Sequence, residues 1–266
     1  GIDLPEEIKR REDRLAAIAA AKAKIEARAK ERFEREQAEY EAKLAKRKAK
    51  ETVTSKKPGG KPPAAPTAGP RPDDQINLTD DESRIMKVAG GGFEQCYNAQ
   101  AAVDADSMLV LAPRVTQAGN DKEQVAPMVE KVRANPAGLN QPATWLADTG
   151  YYSEKNVATC VAADIEPLIA VKRDEHHPHW RERFEEPAPH EGPASPVEQM
   201  RHALKTKAGR AAYALRKQTV EPVFGIIKSV MGFRQFLLRG LENVQNEWTL
   251  VCLAWNLKRM AVLRPR

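Results

Sequence analysis

Two acids in this sequence stand where a reacting group could be held. Asp148 ends the short apolar run Trp145-Leu146-Ala147, and Thr149-Gly150-Tyr151-Tyr152 follow before the chain turns amphipathic. A carboxylate between a strand end and a glycine turn is a position that α/β proteins use for functional groups. Glu221 lies in "YALRKQTVEPVFGIIK", residues 213–228, among Arg216, Lys217 and Lys228. Carboxylates beside cations suit phosphodiester chemistry, in which the acids hold Mg²⁺ and the bases hold the substrate phosphates. The plainer alternative for Glu221 is an acid at a helix N-terminus, where Pro222 would be tolerated in the first turn.

The elements that must position these acids can be read from periodicity. Residues 5–50 are Ala, Glu, Lys and Arg almost without a break, with Ile8, Leu15, Ile18, Ile25, Phe33, Tyr40 and Leu44 at helical spacings. A long charged helix with a thin apolar stripe is expected, either a solvated arm or a coiled-coil partner. Residues 52–74, "TVTSKKPGGKPPAAPTAGPRPDD", lack large apolar anchors and predict a mobile linker. Thr79-Asp80-Asp81-Glu82 has the form of a capping box, which predicts a short helix through Ile85 and Met86 before Gly90-Gly91-Gly92. From Gln95 to Gln117 two apolar stretches flank Asp104-Ala105-Asp106-Ser107, the pattern of a β-hairpin. A helix over 122–132, a strand over 144–147, a helix over 153–162 capped by Ser153 and a strand over 166–171 should follow. Helix is expected again from Val197 to the end, with Leu241, Val244, Trp248, Val251, Cys252 and Trp255 forming a stripe for the core. The order predicts an α/β fold with a mixed sheet.

Composition narrows the function. The formal charge is +6 with a pI near 9.2, which favours a polyanionic partner, nucleic acid first. No stretch approaches the roughly 18 apolar residues of a spanning helix, and no signal-peptide core opens the chain, so a cytoplasmic protein without membrane contact is expected. Cys96, Cys160 and Cys252 are too scattered for a disulfide framework or a zinc knuckle and read as reduced core thiols. His176, His177 and His179 fall in a stretch rich in Pro and charge, with Pro178 breaking any helix; a solvated loop explains them better than zinc.

The spaced motifs resemble those of the DDE-type transposases of bacterial insertion sequences, in the group marked by a Tyr-Arg-Glu-Lys signature. Asp148-Thr149-Gly150-Tyr151 matches that group's Asp-x-Gly-Tyr element, Tyr213 and Arg216 its Tyr-x2-Arg spacing, and Glu221 and Lys228 its Glu-x6-Lys spacing. The group places three residues between Arg and Glu; Arg216 has four and Lys217 has three, so either could be the DNA contact. "YNAQAAVDADSMLVL" and "FRQFLLRGLENVQNEWTLVCLAWNLKRM" also look like segments of that family. The resemblance implies a ribonuclease H-like fold, a mixed sheet flanked by helices, over about 77–266, after a helical arm at 1–51 and a linker at 52–76. It further implies two Mg²⁺ or Mn²⁺ ions, cleavage at transposon ends and strand transfer into target DNA. Asp148 would be the second carboxylate and Glu221 the third, with Tyr213, Arg216, Lys217, Lys228, Arg234 and Arg239 on double-stranded DNA. A homo-oligomer assembled on DNA, in the bacterial cytoplasm and on the nucleoid when bound, completes the expectation.

The family's first carboxylate has no evident match. The chain begins at Gly1 in mid-pattern, and in this group a charged helical insertion often separates the first strand from the hairpin. The expectation is therefore that this aspartate lies upstream, with Asp104 as the in-chain substitute, although a hairpin turn favours Asp for local reasons. A rival reading of another class is a DNA-binding or oligomerising remnant of a mobile element that has lost catalysis.

Overall fold

The structure is a computed structural model and describes residues 4–54, 59–88, 90–136, 138–139, 141–171, 185–189, 192 and 194–264. The chain divides into two compact units, Gly1–Asp81 and Glu82–Arg266.

In the first unit, helix α1 (Leu4–Thr54) is the long charged helix expected from composition. Residues 59–81 do not run free as a linker. They return along α1 as a strap, held by arginines. Arg47 donates to the carbonyls of Gly60 and Lys61, Arg71 engages both carboxylate oxygens of Glu36, and Arg32 engages both of Asp74 at 2.5 and 2.8 Å. Arg28 donates to the Asp81 carbonyl and Lys24 pairs with its carboxylate. Ala29 is buried, and Ile25, Phe33, Tyr40 and Leu44 are half-buried, whereas Ile8, Leu15 and Ile18 stay exposed. The composition of the strap gave no sign of this, because its anchors are ionic and carbonyl contacts rather than apolar side chains.

The second unit opens with a hairpin, β1 (Arg84–Lys87) and β2 (Phe93–Cys96), where a short helix was expected at 85–86. Gly90, Gly91 and Gly92, all at positive φ, make the reversal that lets these strands pair. Glu82, read as the acid of a capping box, instead accepts at 2.9 Å from the backbone N–H of Leu241 and so caps a distant helix. The expected hairpin follows as β3 (Asn98–Val103) and β4 (Val110–Thr116). Helix α2 (Val125–Arg133) leads to β5 (Thr144–Ala147), and α3 (Glu154–Ala162) crosses to β6 (Glu166–Ile169), which pairs with β5 in parallel. Ser153 caps α3 as its sequence predicts, accepting from Asn156 N. Antiparallel and parallel pairs are thus both present, as three two-stranded sheets joined by helix packing. Trp145 on β5 is the link: it packs with Ala112 of β4 and with Met128 and Val132 of α2.

The helical segment from 197 onward is broken twice. Helix α4 (Pro196–Lys205) starts with a full capping box between Ser195 and Glu198, and α5 (Lys207–Ser229) starts at Thr206. Gly209 permits that corner, since a Cβ there would lie 1.9 Å from the Ala203 carbonyl oxygen. Pro222 is not in a first turn. It lies inside α5, which runs on because Thr219, Val223 and Ile227 are buried on either side of it.

Helix α6 (Leu241–Leu263) buries Val244, Trp248, Cys252 and Trp255 against the β3–β4 hairpin, together with Val223 and Ile227 of α5. It also satisfies strand backbone. Asn256 both donates to and accepts from Val110, Gln245 accepts from Val115 N, and the indoles of Trp248 and Trp255 donate to the carbonyls of Gln100 and Met108. A helix thus serves the strand edge as another strand would. Cys160 and Cys252 are buried free thiols and Cys96 is half-buried. Among the described residues no helix is long and apolar enough to cross a membrane. His176, His177 and His179 lie outside the described residues.

Candidate active site

Asp148 leaves the end of β5 and caps a single 3₁₀ turn, Thr149–Tyr151. Its Oδ1 accepts from the Gly150 N–H at 2.8 Å, which leaves Oδ2 facing Arg216 Nη1 at 3.9 Å. The same Nη1 lies 3.5 Å from Glu221 Oε1. One guanidinium therefore stands between two carboxylates that are 50% and 58% exposed, while its own side chain is only 20% exposed. Its Nε is buried without a hydrogen-bond partner among the described residues, and its charge lies 5.8 Å from the centre of the Tyr213 ring.

Spacing on a helix favours Lys217 for this place, because residues four apart share a face and residues five apart are turned by about 140°. It is nevertheless Arg216 that stands beside Glu221, while Lys217 is exposed. Glu221 and Lys228, seven apart, share a face about two turns from each other, and the Lys228 ammonium stands 6.0 Å over the Phe224 ring. Arg234 and Arg239 are exposed on the segment between α5 and α6. That segment is tied down by Glu247, whose carboxylate accepts from the N–H groups of Leu237 and Leu238.

Asp104 is used elsewhere. Its Oδ2 accepts from Ser107 N at 2.8 Å and Ser107 Oγ at 2.5 Å, closing the β3–β4 turn. Among the described residues no group of three or more His, Cys, Asp or Glu side chains forms a metal cluster. The structure therefore brings Asp148, Glu221 and Arg216 together but does not add Asp104.

It adds Asp121, which the sequence reading passed over. Its Oδ1 accepts from Asn98 Nδ2 at 2.8 Å and Gln100 Nε2 at 2.7 Å, and Gln100 in turn accepts from the Tyr151 hydroxyl. Asp121 Oδ2 and Asp148 Oδ1 flank Gly150, lying 3.5 and 3.0 Å from where a Cβ would stand. A side chain at Gly150 would press on the Asp148 carboxylate. Burial first, then the charges of Asp121 and Asp148, hold the Tyr151 phenol well above its ordinary range, so it stays a neutral donor. The available signal is slight: Asp121 follows Gly119-Asn120 on the connection from β4 to α2, five residues past the strand, whereas Asp148 directly follows β5.

The family model described as the transposase DDE domain matches residues 62–257. The chain belongs to the DDE transposases. Neither the curated proteins nor the solved structures yield a match to it. The mixed α/β architecture of the second unit agrees with a transposase DDE domain, and within the matched stretch lie Asp148, Arg216 and Glu221.

Proposed function

We propose that this transposase cuts and joins DNA strands for an insertion sequence in a divalent-metal-dependent reaction, within a ribonuclease H-like region of the Tyr-Arg-Glu-Lys group. The observation that carries this reading is the Arg216 guanidinium between Asp148 Oδ2 and Glu221 Oε1. Two half-exposed carboxylates, brought from elements distant in sequence, share one cation.

The donor set fits the metal. Hard carboxylate oxygens with free lone pairs suit Mg²⁺ or Mn²⁺, and Arg216 marks where positive charge is wanted. When bound, such ions stabilise charge at the attacking and leaving oxygens of an in-line phosphoryl displacement.

The chain's own residues do the rest. The Gly150 N–H fixes the Asp148 carboxylate, leaving one oxygen for the reacting centre. The buried stem of Arg216 lets its guanidinium turn from the carboxylates to a substrate phosphate without leaving the site, and phosphate suits its planar fork. Lys217, Lys228, Arg234 and Arg239, with the Tyr213 hydroxyl, would hold the flanking backbone of double-stranded DNA at transposon ends and target. Such contacts position DNA without reading its sequence. Pairing of two ends calls for a homo-oligomer on DNA, in the bacterial cytoplasm.

Two measurements test this reading: Mn²⁺ binding followed by electron paramagnetic resonance, and nicking of supercoiled plasmid with Mg²⁺ or Mn²⁺. Asp148→Ala and Glu221→Ala should each weaken the first and abolish the second. Nicking or ion binding that survives both substitutions would exclude the assignment.

A further inference from the structure

Helix α1 segregates its charge. Between positions 6 and 41 the sequence carries ten basic and ten acidic residues; between 43 and 61 it carries eight basic residues and one acid, net +7 against +6 for the whole chain. The first part is balanced in charge, and its acids are widely paired, two of them with bases outside it. Glu7 pairs with Arg10 and Arg11, Lys22 with Glu26, Glu36 with Arg71 and Glu39 with Lys43. In the second part Lys43, Lys46, Arg47 and Lys50 recur three and four positions apart, where like charges repel, and Glu51 is the one acid in the run. A solvated helix would gain stability by interspersing acids here as it does in its first forty residues. That it does not do so calls for an external anion.

This basic end is also shaped. A groove of about 970 Å³ opens between α1 and the returning strap, and Tyr40, Lys43, Lys46, Arg47, Lys50 and Lys61 are among its lining residues. Arg47 spans it, donating to Gly60 O at 3.0 Å and Lys61 O at 3.5 Å, so the strap is fixed where the lysines converge. Lys46, Lys50 and Lys61 are exposed, and half-buried Tyr40 adds a hydroxyl. Glu36 and Glu39 line the other end of the groove and already hold Arg71 and Lys43. Beyond Tyr40 this end offers only Leu44 and Val53 as large apolar side chains, too little for a lipid-inserting face. Repeated point charges along a groove suit a polymer of phosphodiesters. The basic residues of this end, Lys43, Lys46, Arg47, Lys50 and Lys61, all lie before residue 62, where the match to the DDE domain begins.

We propose that the groove at the C-terminal end of α1 binds the phosphate backbone of duplex DNA, a second contact additional to the Asp148–Glu221 site. It rests on the DNA-processing reading above for the identity of its polyanion.

The test is fluorescence anisotropy of a labelled random-sequence duplex, titrated with the full chain over roughly 50 to 200 mM salt. Three variants are compared with the parent: Lys46→Gln/Lys50→Gln/Lys61→Gln, the same three positions changed to Arg, and Lys228→Gln/Arg234→Gln/Arg239→Gln. The first should bind at least tenfold more weakly at low salt, with a log–log salt slope shallower by about 3; the Arg version should bind as the parent does. If the first variant keeps parental affinity and slope while the third loses affinity, the groove is not a DNA site and the reading of the catalytic region stands. If the parent chain binds no duplex at all, both fall. Groove-dependent binding to anionic phospholipid vesicles or to single-stranded RNA in place of the duplex would overturn DNA as the partner.

Discussion

Arg216 Nη1 lies 3.5 Å from Glu221 Oε1 although five positions separate the two residues on α5. The long Arg stem closes a gap that helical spacing leaves open, and its other neighbour is Asp148 at 3.9 Å. The cation therefore occupies the position at which two carboxylates would otherwise repel each other.

Removing that cation should alter metal affinity in a direction opposite to that of a lost ligand. Arg216→Ala is expected to raise Mn²⁺ affinity by roughly three- to tenfold, because a competing positive charge a few ångströms away is gone. Lys217→Ala should leave it unchanged. Titration by electron paramagnetic resonance decides; equal effects of the two substitutions would mean that Arg216 is not the competing charge.

Tyr151 and Asp121 should be energetically coupled through Gln100. Tyr151→Phe strands a buried acceptor and is expected to cost about 1–2 kcal/mol, and Asp121→Ala a similar amount. The double variant should fall short of the sum by at least about 0.5 kcal/mol in urea denaturation. Simple additivity would show that the network is not shared.

The raised pKa of the same phenol sets an alkaline limit. The folded Tyr151 keeps its proton to higher pH than the unfolded chain does, so its contribution is complete below about pH 10 and is lost as pH rises beyond it. Cys160 and Cys252, pushed by burial to about 11 and about 12, add losses that begin above about pH 8.5. Stability measured at pH 8 and again near pH 10.5 should therefore fall, and Tyr151→Phe should lose less over that interval than the parent.

Asp74 sets an acid limit for the strap. Arg32, by hydrogen bond and charge, and the Arg71 N–H lower its carboxylate to about 2, below the usual unfolded value. The sign is that of a depressed acid: its contribution is present above about pH 4 and is lost as pH falls through about 2, roughly 1 kcal/mol once solvent screening is allowed for. Asp74→Asn should bring that release to neutral pH, seen as faster amide exchange over residues 59–81. Unchanged exchange in the variant would mean that Arg71 and Arg47 suffice to hold the strap.

Gly209→Ala should be among the most damaging single-methyl additions in the second unit. Its Cβ would meet the Ala203 carbonyl at 1.9 Å, so the α4–α5 corner has to open, at a cost of roughly 2–4 kcal/mol. Thermal denaturation measures it, and a melting temperature within a degree of the parent would contradict the packing described.

Much of the second unit could be read from the chain before any coordinate was known. Strand Thr144–Ala147, the Ser153 cap, the β3–β4 hairpin and the buried stripe of α6 follow from local patterns of period two or 3.6 and from capping chemistry, which act over a few residues. Asp148 was legible for the same reason, since the strand, the acid and the glycine turn are contiguous. Long-range choices were not. The Thr79–Glu82 pattern suits a local cap equally well, and only the proximity of Leu241 N assigns Glu82 to α6. Pro222 reads as a helix start until Val223 and Ile227 are seen buried in a core that carries α5 through it. The place of Asp121 was settled only by the fold, in which Asn98 and Gln100 of β3 and Tyr151 of the 3₁₀ turn meet around it. Arg216 was preferred to Lys217 because the reach of a side chain across space, not its count along a helix, decides which cation meets two acids at once.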